Sequence, residues 1–481
     1  MIGVQAAPGR RQAPLLVLVG LTSIALAFGV VQRPWLVTGI VFGALILWAA
    51  TTEPLVLVGL MLGLGALDLS FATGGFKALF PNAGGLDMNG IRLVAMTCGL
   101  SAMLLAERSV QREALGSCGR WYLLFLLWIT ASLATSVAPL EGLRLLFKLA
   151  YPFLTFVVVA GLVQSRRQLE RLMLVTLITG AAIVIAVNPL FGLGAGFDVD
   201  HFGFRRLRGL GGANPFSFYL LVLLLITFGR FVVRGKLLYL ALCGLLGFLI
   251  VMTLTRIALA ACLAGIGAMV LFAALEGRNR RAVVAGALMS FGIGMLFVPQ
   301  VMKRTFGYVP SLGELVSLAR SPVSLYESMN WQGREVLWPI LYNAYRGDPN
   351  TGLGLGSSGI VVRENFPSIA AQVAHNEYLR LAVDTGRIGI ALFFAAMMSW
   401  LVWMIKLGWR APPLVREFAL PAVGTIIAWA FISITDNSFD YYAQFTQYVG
   451  FLCGGAIAAA RLSAAELPEA TTLNGPYARF S

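Results

Sequence analysis

A chain of 481 residues with 58% hydrophobic and only 12% charged residues cannot clothe a soluble core in a hydrated surface. Its mean hydropathy of +0.81 points instead to a protein that crosses a membrane many times. The formal net charge of +14 suits a membrane with anionic lipids and implies no nucleic-acid partner.

Apolar runs near the ~20 residues that cross a bilayer recur throughout the chain. They must be helices, because hydrocarbon cannot satisfy open backbone polar groups and no alternating barrel strands occur. In chain order they predict spans over 14–31, 34–50, 54–71, 91–106, 121–137, 143–164, 169–188, 213–229, 237–254, 256–275, 282–300, 386–405, 418–435 and 446–461. The first run follows Arg10 and Arg11 as a signal peptide would, but its length and the second run behind it favour a retained anchor. The expected fold class is an all-α polytopic membrane protein of roughly 12–14 transmembrane helices with a long external loop between late spans. Membrane helices with an external loop near 189–212 fill 1–300, the large external loop fills 301–385, further membrane helices fill 386–461, and 462–481 is a polar cytoplasmic tail.

Placing the basic connectors inside sets the orientation. Arg10 and Arg11, then Arg108, Arg112 and Arg120, "QSRRQLER" at 164–171, "GRFVVRGK" at 229–236, "EGRNRR" at 276–281 and "KLGWRAPPLVRE" at 406–417 all fall on one side. Both termini are then cytoplasmic. Cys98, Cys243, Cys262 and Cys453 lie in apolar runs and Cys118 in an inner connector, so none is placed for an external disulfide. No Cys/His cluster has metal-ligand spacing, and neither a metal nor a cofactor is expected.

The same orientation leaves arginines on the wrong side. Arg205, Arg206 and Arg208 stand in the external segment 189–212, and Arg256 interrupts an apolar block at an outer turn. Lys303, Arg304, Arg320, Arg334, Arg346, Arg363 and Arg380 lie in the long outer loop. Cations at the membrane are costly without a partner, and here the partner should be anionic. Arg144 and Lys148, four apart in "LEGLRLLFKLAYPF", either join this cluster or snorkel from a helix end.

An outer connector of about 85 residues is far longer than helix packing requires. Within it "WQGREVLWPILYNAYRG" puts Arg334, Trp338 and Tyr342 on one helical face, either a functional face or an interfacial helix anchored by its aromatics. The glycines of "DPNTGLGLGSSG" read as turns ahead of an anion-binding nest, since no Lys-Ser/Thr follows. His375, one of two histidines, lies eleven residues before the span expected to open at Gly386. An imidazole of ordinary pKa near ~6.5 can take a proton from a hydroxyl nucleophile in one step. Asn376 could orient it or bind a sugar hydroxyl; an ordinary surface histidine is the competing reading. His201 has nothing distinctive around it. Asp436 and Asp440 of "TDNSFDYYAQF" could bind acceptor hydroxyls or build a capped turn.

Four segments in order resemble one family. "RRLRGLGGANPFSFYL", "LTRIALAACLAGIG", "GREVLWPILYNAYRGDPNTGLGLGSSG" and "AHNEYLRLAVDTGRIGIALFF", spanning roughly 205–390, are similar to motifs of the O-antigen ligase and O-antigen or exopolysaccharide polymerase superfamily. Thr255 stands where that pattern usually has serine, and "GGANP" is a looser version of its Asn-Pro element. The resemblance implies a bacterial inner-membrane glycosyltransferase, inverting and independent of metal, with its active site facing the periplasm. It would move glycan from undecaprenyl diphosphate onto lipid A core or onto another lipid-linked glycan, among membrane lipids. It implies diphosphate binding by Arg208, Arg256 and Arg334, with Arg205, Arg206, Asn376, Asp436 and Asp440 as possible support or acceptor contacts. His375 matches the histidine that activates the acceptor hydroxyl. The competing class is a transporter or flippase of lipid-linked glycans, which would carry its charges along a path through the midplane.

Overall fold

The computed structural model describes residues 54–64, 118–192, 197–199, 205–208, 212–277, 302–330, 333–366 and 374–465, with a few single positions besides. The spans expected at 14–31, 34–50, 91–106 and 282–300, and the tail beyond 465, lie wholly or largely outside the described residues. In order the elements are α1 Pro54–Leu64, α2 Arg120–Ala131 running into a 3-10 turn Ser132–Thr135, α3 Pro139–Leu162 and α4 Arg166–Gly192. An antiparallel hairpin follows, β1 Phe197–Val199 and β2 Arg205–Leu207, with Asp198 opposite Arg206. Then come α5 Ala213–Arg234, α6 Leu237–Met252, α7 Arg256–Leu275, α8 Leu312–Arg320, α9 Pro322–Ser328, α10 Arg334–Gly347 and α11 Ser357–Asn365. The chain continues through α12 Glu377–Gly408, α13 Pro413–Thr435, a 3-10 turn Ser438–Tyr441, a π turn Tyr442–Thr446 and α14 Gln447–Ala465. Among the described residues seven helices are long and apolar enough to cross a membrane, and the architecture is that of an all-α polytopic membrane protein.

Span limits follow local signals. Pro139 at the first turn and Glu141 behind it start α3 four residues ahead of its apolar run. Gly235, left-handed at φ +69, ends α5. Small residues set the close packing: a Cβ on Gly450 would sit 2.0 Å from the Pro152 carbonyl oxygen, and one on Gly265 2.9 Å from that of Gly424. Tyr122 stacks on Phe153 and Trp400 in the centre of the bundle and donates its hydroxyl to Leu149 O at 2.9 Å.

The last group of spans does not open at Gly386. The helix begins at Glu377, and Gly386, at φ +65, is a break inside it. The glycine turns close that break: Leu353 N–H donates to Val383 O at 2.8 Å, Gly354 N–H to Asp384 O at 3.0 Å, and Arg387 N–H to Pro349 O at 2.9 Å. Gly352, Gly354 and Gly356 all have φ between +73 and +93, and a Cβ on Gly354 would lie 2.3 Å from the Ser136 backbone. The run is therefore a turn that only glycine can make. Its amides are engaged by protein, since the Asp384 carboxylate accepts from Gly356 N–H at 3.0 Å and Ser358 N–H at 2.7 Å.

Helices α5 and α7 start at one end of the bundle, and α13 runs back to it. At the opposite end Arg234 meets Glu417 at 2.7 Å and Arg416 meets Glu276 at 2.6 Å. Three spans thus deliver their ends to one place, where the chemistry-bearing residues collect.

Candidate active site

Asn214 is the second residue of α5, Arg256 the first of α7 and Arg334 the first of α10. All three line one cavity of about 240 Å³, together with Arg304, Thr305, Asn330 and Asp436. A helix N-terminus presents unsatisfied N–H groups and the positive end of its dipole, so this convergence favours an anion before any side chain is counted. Thr255 does not cap α7 with its hydroxyl, which donates instead to Asn214 Oδ1 at 3.4 Å.

A backbone carbonyl oxygen accepts from each guanidinium group. Arg256 donates from both Nη atoms to Asn330 O at 3.3 Å, Arg334 from Nη2 to Thr435 O at 3.1 Å, and Arg304 to Leu254 O. Leu254 itself is left-handed at φ +51. Burial pulls the Arg334 guanidinium below its ordinary pKa, while the Asp436 carboxylate beside it works in the other direction. Among the described residues, three arginines and one carboxylate, Asp436, line the cavity.

Asp436 connects the arginines to His375. Its carboxylate accepts from Asn437 N–H at 2.9 Å, Asn214 Nδ2 at 3.2 Å and Tyr441 Oη at 3.3 Å, and one of its oxygens lies 3.5 Å from His375 Nδ1. The carboxylate is buried, whereas the imidazole side chain is 33% exposed. At 3.5 Å the pair is looser than a good hydrogen bond. His375 holds a left-handed backbone at φ +48, a conformation that costs a non-glycine residue about 1–2 kcal/mol. Its neighbours enforce it: Trp338 Nε1 donates to Ala374 O at 3.1 Å, and Asn376 caps α12 by accepting from Leu379 N–H at 2.9 Å. Asn376 N–H donates in turn to Asn437 Oδ1 at 3.3 Å.

Of the residues singled out from sequence, Arg256, Arg334, Asp436 and His375 come together here. Asp440 does not: it is committed to Lys148 at 2.6 Å and to Arg380 at 3.1 Å, and Arg380 is paired with buried Glu377 at 2.7 Å. Arg144 pairs with Glu141 on an exposed turn, apart from the cluster. Arg205, Arg206 and Arg208 belong to the hairpin and its exit; Arg205 and Arg208 are exposed, Arg206 half-buried, and none of the three lines the cavity. Helix α10 is docked on protein through Leu337 and Leu341, which pack with Val362 and Val383, so only its outer face, with Tyr342, is exposed. Arg304 stood among the outward cations without a role of its own, and Asn214 and Asn330 were not singled out from sequence. Arg304 carried the same signal as Arg256, a cation at the outer end of an apolar run. Among the described residues no group of three His, Cys, Asp or Glu side chains could hold a metal ion.

Residues 241–394 match the family model described as O-antigen ligase. Over that third of the chain the likeness is to the O-antigen ligase and polymerase superfamily. The matched segment contains Arg256, Arg304, Arg334 and His375, while Asn214 and Asp436 reach the superfamily's shared region from outside it. No curated protein matches the chain. The match supports glycan transfer of the ligase or polymerase type in general terms, in a chain whose apolar helices are long enough to cross a membrane.

Proposed function

We propose that this protein transfers glycan from undecaprenyl diphosphate to an acceptor sugar hydroxyl at the periplasmic face of the bacterial inner membrane. The observation that carries this reading is the convergence of three arginines and three helix N-termini on one cavity whose lining carboxylate faces His375. Arg230, Arg234, Lys236, Arg410 and Arg416 gather at the opposite end of the spans, which favours that end as cytoplasmic and the cavity end as periplasmic.

A periplasmic transferase has no nucleotide sugar at hand, so the driving force must reside in the donor, and a glycosyl diphosphate carries a good leaving group. Asp436 fixes the imidazole with Nδ1–H toward itself, leaving Nε2 to take the proton from the acceptor hydroxyl. The hydroxyl oxygen forms the new bond to the anomeric carbon as the bond to the diphosphate oxygen breaks, and undecaprenyl diphosphate leaves with its electron pair. Arg256, Arg304 and Arg334 stabilise the charge developing there, since guanidinium forks bind phosphate oxygens in pairs. Attack opposite the leaving group inverts the anomeric centre, and by the resemblance no metal takes part. Arg208, on the exposed exit of the hairpin, would meet the diphosphate on its approach. Asn376 is a positioning residue for His375.

The test is transfer by purified protein in liposomes with undecaprenyl-diphosphate-linked repeat units, with and without lipid A core, comparing wild type with His375→Ala. Longer lipid-linked chains formed without core identify a polymerase, and glycan found only on added core a ligase; either is expected to vanish in the variant. No product from a matched donor, or full activity in the variant, would overturn the reading, and a transport assay would then come next.

A further inference from the structure

The segment between Thr305 and Asn330 is rooted in the cavity and yet leaves the bundle. Its ends are closed on each other by Asn330 N–H donating to Thr305 O at 2.7 Å, and Arg256, the first residue of a span, ties Asn330 down from the other side. Thr305, Met329 and Asn330 all line the cavity. The root therefore sits at the level where α7 begins, at the polar boundary of a bilayer around these spans.

Between the two ends the chain builds a short helical unit. Gly307, at φ +81, turns it outward, and a capping box starts α8: Glu314 N–H donates to Ser311 Oγ at 3.3 Å, and Ser311 N–H to Glu314 Oε2 at 2.7 Å. Positions 312, 315, 316 and 319 of α8 are Leu, Leu, Val and Ala, and positions 313, 314, 317 and 320 are Gly, Glu, Ser and Arg. The apolar set repeats at i, i+3, i+4 and i+7, one stripe along the helix. Helix α8 packs on α9, but apolar side chains remain uncovered along the unit: Tyr308 is 48% exposed, Val309 53%, Val316 46% and Val323 66%. A nine-residue helix is marginal alone in water and needs a surface against its stripe. Rooted at the end of a span, with Arg320 in its last turn beside that stripe, the unit meets one surface by position, the polar–apolar boundary of the outer leaflet.

We propose that residues 306–328 form a flap seated in the outer leaflet beside the cavity, dipping Val316 and Val323 into lipid and keeping Glu314, Ser317 and Arg320 in the headgroup layer. The flap shields the side of the cavity, so that a lipid-borne substrate reaches Arg256 and Arg304 along its underside without leaving the bilayer. The seating stands independently of the proposed function; the substrate path rests on it.

The experiment places single spin labels on cysteines substituted at Gly313, Val316, Ser317 and Val323 in otherwise native protein, in nanodiscs of phosphatidylethanolamine and phosphatidylglycerol. Cys118, Cys243, Cys262 and Cys453 are buried, and mock-labelled wild type supplies the background. Labels at 316 and 323 are expected to collide more with dissolved oxygen than with a water-soluble nickel chelate, and labels at 313 and 317 the reverse. Nickel-dominated collisions at 316 and 323 would overturn the seating, as would shielding from both reagents, whether by the bundle or, with spin–spin broadening, by a second copy. The path is read separately with Val316→Asp/Val323→Asp, expected to raise KM about tenfold for a full-length polyprenyl donor and to leave a short-chain, water-soluble donor unaffected. Equal KM changes for both donors, or none for either, would overturn the path. An inactive wild type would tell against the proposed function alone, because the labels report without turnover.

Discussion

The two ends of the α5, α7 and α13 bundle both gather arginines and treat them in opposite ways. At the end where α5 and α7 finish, Arg230 and Arg234 share Glu417 at 3.3 and 2.7 Å, and Arg416 meets Glu276 at 2.6 Å. At the end where they begin, Arg256, Arg304 and Arg334 donate to the carbonyl oxygens of Asn330, Leu254 and Thr435 and line a cavity to which, among the described residues, Asp436 brings the one carboxylate. A carboxylate cancels a guanidinium's charge as well as satisfying its N–H groups. A carbonyl orients the fork without cancelling its charge. The first end is thus built to hold helices together, the second to hold an anion, and substitutions should separate the two.

The largest effect is expected at His375, which touches the reacting hydroxyl in the proposed mechanism. His375→Ala should lower the transfer rate by about a thousandfold, within the range that general-base removal produces, while thermal stability in detergent stays at the wild-type level. A variant that unfolds would instead mark the residue as structural. Next come the cavity arginines. Arg256→Ala and Arg334→Ala should each cost about a hundredfold in kcat/KM, and Arg256→Lys should recover only part, because a single ammonium cannot engage two phosphate oxygens in parallel. Titration with undecaprenyl diphosphate as a product inhibitor checks this directly: unchanged inhibition in all three variants would remove the arginines from donor binding.

At the opposite end the readout should invert. Glu417→Ala leaves Arg230 and Arg234 without their shared carboxylate in a largely buried site and should cost about 3 kcal/mol of stability, with kcat/KM per folded molecule unchanged. Thermal melting alongside the transfer assay measures both. A smaller effect is expected at Asn376→Ala, which removes the cap of α12 and one hold on the strained His375 backbone. It should cost about 1 kcal/mol and lower kcat more than it raises KM. A KM effect alone would argue that Asn376 binds the acceptor.

How much of this was legible from the residues differs by element. Long apolar runs announced α3, α5, α6, α7, α13 and α14 within a few residues, because lipid leaves a chain no other option than a helix. The start of α12 was not legible: "EYLRLAVDTG" reads as a charged loop, and it becomes helix only because Glu377, Arg380 and Asp440 satisfy one another and Asp384 accepts the amides of Gly356 and Ser358. Glu377 and Arg380 are three apart, but Asp440 lies 60 residues from Arg380, and Gly356 and Ser358 lie 28 and 26 from Asp384, beyond any local pattern. Within the site, misplaced charge exposed Arg256 and Arg334. The partnership of Asp436 with Asn214 and His375 depends on three chain segments meeting, which no spacing reveals.

Arg208 is where the motif and the cavity disagree, and the smallest predicted effect falls there. The motif gives it the same diphosphate role as Arg256, but it stands exposed at the exit of β2 and does not line the cavity. An exposed cation draws in an anionic substrate over roughly a Debye length of ~10 Å and contributes little once the substrate is seated. Arg208→Ala should therefore lower kcat/KM only severalfold, with a loss that fades as salt rises from 50 to about 500 mM and with product inhibition almost unchanged. Arg256→Ala should show the contrary pattern, a large loss at every salt concentration. A salt-independent hundredfold loss at Arg208 would mean that the hairpin folds over the cavity when donor binds, bringing a fourth arginine to the diphosphate.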